Sequence, residues 1–168
     1  MHRPSPEEMP AWYHPYLSLV EEDLPPGALL AQRWQQNLPF WRDQGQPEQP
    51  YAAGKWNLLT LVQHIIDTER IFQCRALQVA REDGRPLPEY DHEAYARATE
   101  PVQTSYALLL EEWAAVRQAG VLLFHSFSES DLRHQGRLQK GPLTVRSMAY
   151  IMAGHARHHQ QVVTRHMA

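Results

Sequence analysis

The sequence predicts an all-α protein, a four-helix bundle preceded by an irregular, proline-rich N-terminal segment. Three observations carry this expectation. Four stretches repeat apolar residues at the three- and four-residue steps of a helix face. No stretch alternates apolar and polar residues convincingly, as a half-buried strand does. Nine of the thirteen prolines fall in residues 1–50, where missing N–H groups and a fixed φ interrupt regular structure. A chain of 168 residues with 43% hydrophobic content is long enough for one cooperative core and short for two. One domain is therefore expected over residues 1–168, with 1–25 irregular and the bundle occupying about 26–166.

The elements follow in order. GALLAQRWQQNL sets Leu30, Trp34 and Leu38 on one helical face, and Pro39 is expected to end or kink this first helix. Asn57 suits the N-cap of a long second helix, LLTLVQHIIDTERIFQCRALQVARED, in which residues 58, 62, 65, 69, 72, 76 and 79 alternate steps of four and three. Gly84 and Pro86 are expected to stop it. LPEYDHEAYARATEPVQ then reads as a polar connection. A third helix beginning near Thr104 places Tyr106, Leu109, Trp113, Val116, Leu123 and Phe127 on one side, with Gly120 weakening it. A turn at Gly141-Pro142 and a cap at Thr144 open the fourth helix, running to about His166. There is no internal repeat and no low-complexity tract.

Composition narrows the function. A formal charge of −3 without any Lys/Arg run argues against a dedicated nucleic-acid surface. The lone Cys74 has no partner for an internal disulfide, and MHRPSPEEMP lacks an apolar signal core. A cytoplasmic location is the expectation. No apolar run approaches the ~20 residues that span a bilayer.

Histidine carries the chemistry. HARHHQ, residues 155–160, puts three imidazoles into a helix that otherwise looks buried. At about 100° per residue, Val145, Met148, Met152, Val162 and Val163 define its apolar face. His155 and His159 fall within that face, one turn apart, His158 lies at its edge and Arg157 points away. Two imidazoles at i and i+4 can present nitrogens to one divalent ion, with a third ligand drawn from another helix. His2 and His14 lie in the irregular head, His92 and His134 in connections, His166 at the tail, and His125 away from the third helix's apolar side. His64 flanks the apolar stripe of the second helix, so periodicity permits it without selecting it. The plainer alternative, hydrogen-bonded core histidines and a solvated His-rich helix end, stays open on spacing alone.

WNLLTLVQHIIDTERIFQCRAL, then LPEYDHEAYA, then LTVRSMAYIMAGHARHHQQVV together resemble the DinB-like (DinB/YfiT) superfamily of damage-inducible and stress-related bundle proteins. The resemblance spans roughly residues 26 to 166. Its most specific parts are the second-helix histidine followed by a Glu-Arg pair, and the Gly-His-x-x-His-His string. It implies a metal held by His64, His155 and His159, a four-helix bundle, and a homodimer, since relatives are often dimeric. The ion varies across the family among zinc, nickel and iron. By the same resemblance the substrate is a small molecule, with a low-molecular-weight thiol as a candidate co-substrate. Relatives include thiol-dependent transferases, while others are assigned only provisionally as hydrolases.

Three neutral imidazoles suit zinc, nickel or ferrous iron better than magnesium or calcium, which prefer oxygen donors. Three protein ligands leave a coordination position open, as in a reactive site rather than a closed structural one. A zincin-like peptidase is disfavoured, because Ala156 occupies the position where an HExxH motif carries its glutamate. His158 is expected to contact the ligands from behind or to face solvent. Asp67 and Glu69 are candidate proton carriers or imidazole-orienting groups. For Asp67 a surface or supporting place is favoured, and for Glu69 burial against an arginine. Cys74 lies opposite the apolar stripe and is not expected to act as a nucleophile. Trp34, Trp56, Trp113 and Phe72 read as core residues rather than a substrate cage. Two function classes result: a metal-dependent transferase or hydrolase, and a non-catalytic metal-binding stress-response module.

Overall fold

The four expected helices all form in the computed structural model, which describes residues 2–81, 85–100, 102–139 and 141–167. The N-terminal segment is largely irregular. It contains 3-10 turns at Pro6–Glu8 and Ala11–Tyr13 and the short helix α1 (His14–Leu17). The main helices are α2 (Pro26–Arg42), α3 (Leu58–Ala80), α5 (Tyr106–His125) and α6 (Val145–Met167), with α4 (His92–Thr99) lying between α3 and α5.

Pro26 occupies the first turn of α2, where its missing N–H has no intrahelical partner to lose. Of the two outcomes expected at Pro39, an end is not what occurs: the helix runs on to Arg42. Pro39 is exposed, and so is Gln35, whose carbonyl the proline leaves without a donor, so water can serve it. The added turn carries Trp41, which is fully buried. The hydrophobic gain from that indole, about 1.5–3 kcal/mol for a large apolar side chain, offsets the lost bond.

Asn57 caps α3 as expected, its side chain accepting the Thr60 N–H at 2.9 Å. The expected stop at Gly84 lies outside the described residues; α3 is regular to Ala80. The polar connection is not all loop. Asp91 accepts the Ala94 N–H at 3.0 Å and starts α4, an N-cap signature that the surrounding polar residues obscured. Ser105 caps α5 through the Leu108 N–H at 3.2 Å. Phe127, expected on that helix's apolar side, lies beyond its end, although it is buried.

Two short strands, β1 (Gln135–Leu138) and β2 (Gly141–Thr144), pair antiparallel, with Gln135 opposite Thr144 and Leu138 opposite Gly141. Neither was expected, because four residues are too few to establish an alternating pattern. Gly141, at φ 148°, holds a conformation that other residues rarely adopt. Thr144 caps α6 by accepting the Ser147 N–H at 3.3 Å. Helix α6 is buried all round from Ala149 to Ala153, a wider face than the one read from periodicity. The N-terminal segment covers its outer side: the Tyr150 hydroxyl donates to the Leu24 carbonyl at 2.8 Å and accepts the Leu24 N–H at 3.1 Å.

In the bundle α2 packs on α5 and α6, and α3 packs on the same two helices. Consecutive helices α2 and α3 therefore stand diagonally across the bundle rather than side by side. That order makes α3 and α6 neighbours, which the histidine site requires. No helix among the described residues is long and apolar enough to cross a membrane.

Candidate metal centre

Helix α3 presents His64, which is 6% exposed, and α6 presents His155, which is 4% exposed, with His159 one turn further on. The Nε2 of His155 lies 3.0 Å from that of His64 and 2.9 Å from that of His159. One ligand nitrogen from each of the three lies within 4.8 Å of the other two, the only such group of potential metal ligands among the described residues. The rings are braced by aromatic neighbours. Trp56 lies 5.4 Å from His64, and Tyr16 meets His155 edge-on at 5.3 Å.

Burial sets the charge state. It pushes His64 down to about 4, helped by His92, and holds His155 and His159 well below the ordinary histidine value, with neighbouring imidazoles adding to the effect. All three rings are neutral at pH 7, the form that donates a lone pair to a metal. Three convergent nitrogens cannot satisfy one another. A neutral imidazole has one N–H and one lone pair, so the central His155 Nε2 has a complementary bond for only one neighbour. The Nδ1 atoms of His64 and His155 are also buried without hydrogen-bond partners. Buried polar groups left this way are costly, and a cation among the Nε2 atoms would resolve the conflict. The donor set therefore fits a divalent transition ion.

The cluster forms one wall of an open cavity of about 540 Å³. Trp12, Tyr13 and Tyr16 from the N-terminal segment line it, as do Trp56, Thr68, Phe72 and Arg75, and Glu89, Tyr90, His92 and Glu93 from the α3–α4 region. Burial raises Tyr16 and Tyr90 above the ordinary phenol value, so both remain protonated donors. Gly154 allows the N-terminal segment to come this close, since a Cβ there would run into the Tyr16 backbone.

The other sequence expectations divide. His158 stands beside the cluster, its ring 5.2 Å from His159 and 5.5 Å from Tyr16, and its nitrogens do not join the convergent group. Asp67 does not line the cavity; it accepts from Gln63 at 3.1 Å. Glu69 is buried and paired with Arg117. Cys74 is exposed. Trp113 is core, but Trp56 and Phe72 also line the cavity, so the reading of all four aromatics as core alone was incomplete. Sequence reasoning missed Tyr16, Arg75, Tyr90, Glu93 and the approach of His92, whose ring lies 5.7 Å from His64. The cap at Asp91 and the acidic first turn at Glu93 could have marked α4. Nothing local marks Tyr16, because it reaches the site through a long-range wrap.

Fold and site together define a class: helical bundles that gather three histidines from two helices beside an open cavity. The chain belongs to the DinB superfamily, whose family model matches residues 19–163. Among solved structures it is similar to YfiT from Bacillus subtilis, described as a probable metal-dependent hydrolase with an unusual four-helix bundle topology. That likeness has a TM-score of 0.71 over 97% of this chain and 90% of that one, at 14% sequence identity, and is a likeness of fold. No curated protein sequence matches the chain.

Proposed function

We propose that the protein is a metal-dependent enzyme acting on a small molecule, with His64, His155 and His159 holding one divalent transition ion. The carrying observation is the convergence of three neutral imidazole nitrogens, from two buried histidines and the half-buried His159, on the wall of an open cavity. A zinc, nickel or iron ion bound there supplies Lewis acidity and lowers the pKa of a small nucleophile, water or a thiol, at its free position.

The chain's own residues do the rest. The three imidazoles leave one side of the cluster open to the cavity. Trp56 and Phe72 narrow the space and exclude water from the reacting groups. Tyr16 and Tyr90 offer protonated hydroxyls to an oxygen that gains negative charge. Glu93 and His92, at the cavity edge with their side chains 56% exposed, are placed to exchange protons with solvent. The description of YfiT favours hydrolysis, and the resemblance to thiol-dependent relatives favours transfer to or from a thiol. Both use the same activation of a small nucleophile.

The test begins with elemental analysis of protein purified without an affinity tag, beside His64→Ala. About one equivalent of metal in the wild type and its loss in the variant are expected. A cobalt-substituted sample then separates the two chemistries. A new near-ultraviolet band on adding a low-molecular-weight thiol supports transfer, and an unchanged spectrum with turnover of model esters or amides supports hydrolysis. Full metal content in His64→Ala would overturn the ligand set.

A further inference from the structure

Helix α3 carries two buried arginine contacts of opposite kind. Arg117 of α5 is neutralised by Glu69 of α3. Arg75, six residues further along α3, is 3% exposed and has no carboxylate within ion-pair distance among the described residues. Its Nη2 donates to the Pro88 carbonyl at 2.5 Å, its guanidinium carbon stands 5.3 Å from the Phe72 ring centre, and its Nε is buried without a partner. A carbonyl and a ring face do not neutralise a buried cation, and burying a charge without a counter-ion is strongly unfavourable.

Arg75 lines the same cavity as the histidine cluster. Two carboxylates share that cavity and neither serves as its counter-ion. Glu89 accepts the Gln139 N–H at 3.1 Å, and Glu93 stands 3.7 Å from His92 with its side chain 56% exposed. We propose that Arg75 is the binding residue for a carboxylate group on the substrate, which completes the missing ion pair when it enters the cavity. A guanidinium fork matches a carboxylate in shape and charge. Arg75 supplies one positive charge and shares its cavity with two glutamates, which favours a monoanion over a doubly charged phosphate at the guanidinium. The aromatic side of the cavity, Phe72 and Trp56, fits an apolar body attached to that carboxylate. The inference rests on reading this cavity as the substrate site, and it does not require that the metal already be bound.

The test uses benzoate and its neutral isostere benzamide as probes, titrated into the full-length protein as purified and followed by NMR. Wild type, Arg75→Met and His64→Ala are compared, with helicity measured by circular dichroism. Benzoate should still bind His64→Ala, and should bind Arg75→Met roughly tenfold or more weakly than wild type, as loss of a charge-assisted pair implies. Benzamide should bind all three weakly. If Arg75→Met does not fold, Arg75→Gln, which keeps a donor toward Pro88 and removes the charge, is expected to give the same loss. Equal benzoate affinity in the Arg75 variant, benzamide binding as well as benzoate, or no benzoate binding to wild type would overturn the proposal. So would binding that disappears in His64→Ala and survives in Arg75→Met, because the carboxylate would then sit at the histidines. Arg75-dependent binding in a protein that holds no metal would leave this inference standing and remove the metal reading instead.

Discussion

Glu69 and Arg117 form a closed ion pair inside the bundle, 1% and 2% exposed respectively. Arg117 Nε donates to Glu69 Oε2 at 3.0 Å and Nη2 to Oε1, while the Trp113 indole N–H donates to Oε1 at 2.7 Å. The pair ties α3 to α5, and a further bond from Arg117 Nη1 to the Leu30 carbonyl at 3.4 Å extends the network to α2. Removing one partner strands the other charge in the core. Glu69→Ala or Arg117→Ala should each lower stability by about 3–5 kcal/mol, whereas Glu69→Leu combined with Arg117→Met should recover most of it. Urea unfolding of the four proteins, read as a double-mutant cycle, checks this.

The histidine cluster predicts a difference between adjacent residues. His155→Ala and His159→Ala should lose bound metal, and His158→Ala should keep it, since its nitrogens lie outside the convergent group. Chelation of the wild type should lower its thermal midpoint, with a loss of roughly 4 kcal/mol if the ion was present at a thousand times its dissociation constant. Metal analysis and thermal melts with and without chelator measure both effects.

Gly154 is the contact point between α6 and the backbone at Tyr16. Gly154→Ala would add a methyl group where a carbonyl already sits, so the N-terminal segment must shift. A cost of about 1–3 kcal/mol is expected, as for other overpacked sites, together with loss of the Tyr16–His155 ring contact. Melting curves report the first effect. Greater protease sensitivity of the N-terminal segment in the variant reports the second.

Glu8 fastens that segment to the start of α6. It accepts from Arg146 Nε and Thr144 Oγ1, each at 2.8 Å. Burial alone would raise its carboxyl, but the bonds from Arg146, the Ser5 N–H and Thr144 outweigh this and hold it below the ordinary value of 4.5. A carboxyl lowered by folding contributes stability above its unfolded value, and that contribution disappears as pH falls through the folded value. The difference in melting temperature between wild type and Glu8→Gln should therefore be steady at neutral pH and shrink below pH 4.5. A difference that grows on acidification would contradict the assignment.

Much of the architecture was legible because long amphipathic helices repeat their pattern often enough to be read. Seven positions along α3 and the His155–His159 pair on α6 each fixed a face. The third histidine was different: His64 sits at the edge of its stripe, and only resemblance to a family selected it. What stayed hidden depends on short or distant relationships. The four-residue strands had too few positions to show a period, and α4 was masked by its polar composition. Pro39 does not end its helix because burial of Trp41 outweighs one missing backbone bond. Arg75 could not be recognised, since its significance lies in having no carboxylate within ion-pair distance among the described residues, which only the folded arrangement reveals.

The cavity draws one wall from Trp12, Tyr13 and Tyr16 and another from His155 and His159, segments separated by most of the polypeptide. During ribosomal synthesis the aromatic wall emerges early and the imidazoles follow only after the other bundle helices. Until α6 arrives, the apolar surfaces of α2 and α3 that it will cover remain open to solvent and to other nascent chains. Metal capture at the proposed site would therefore be a late event, and the interval before α6 packs is when chaperones would matter most.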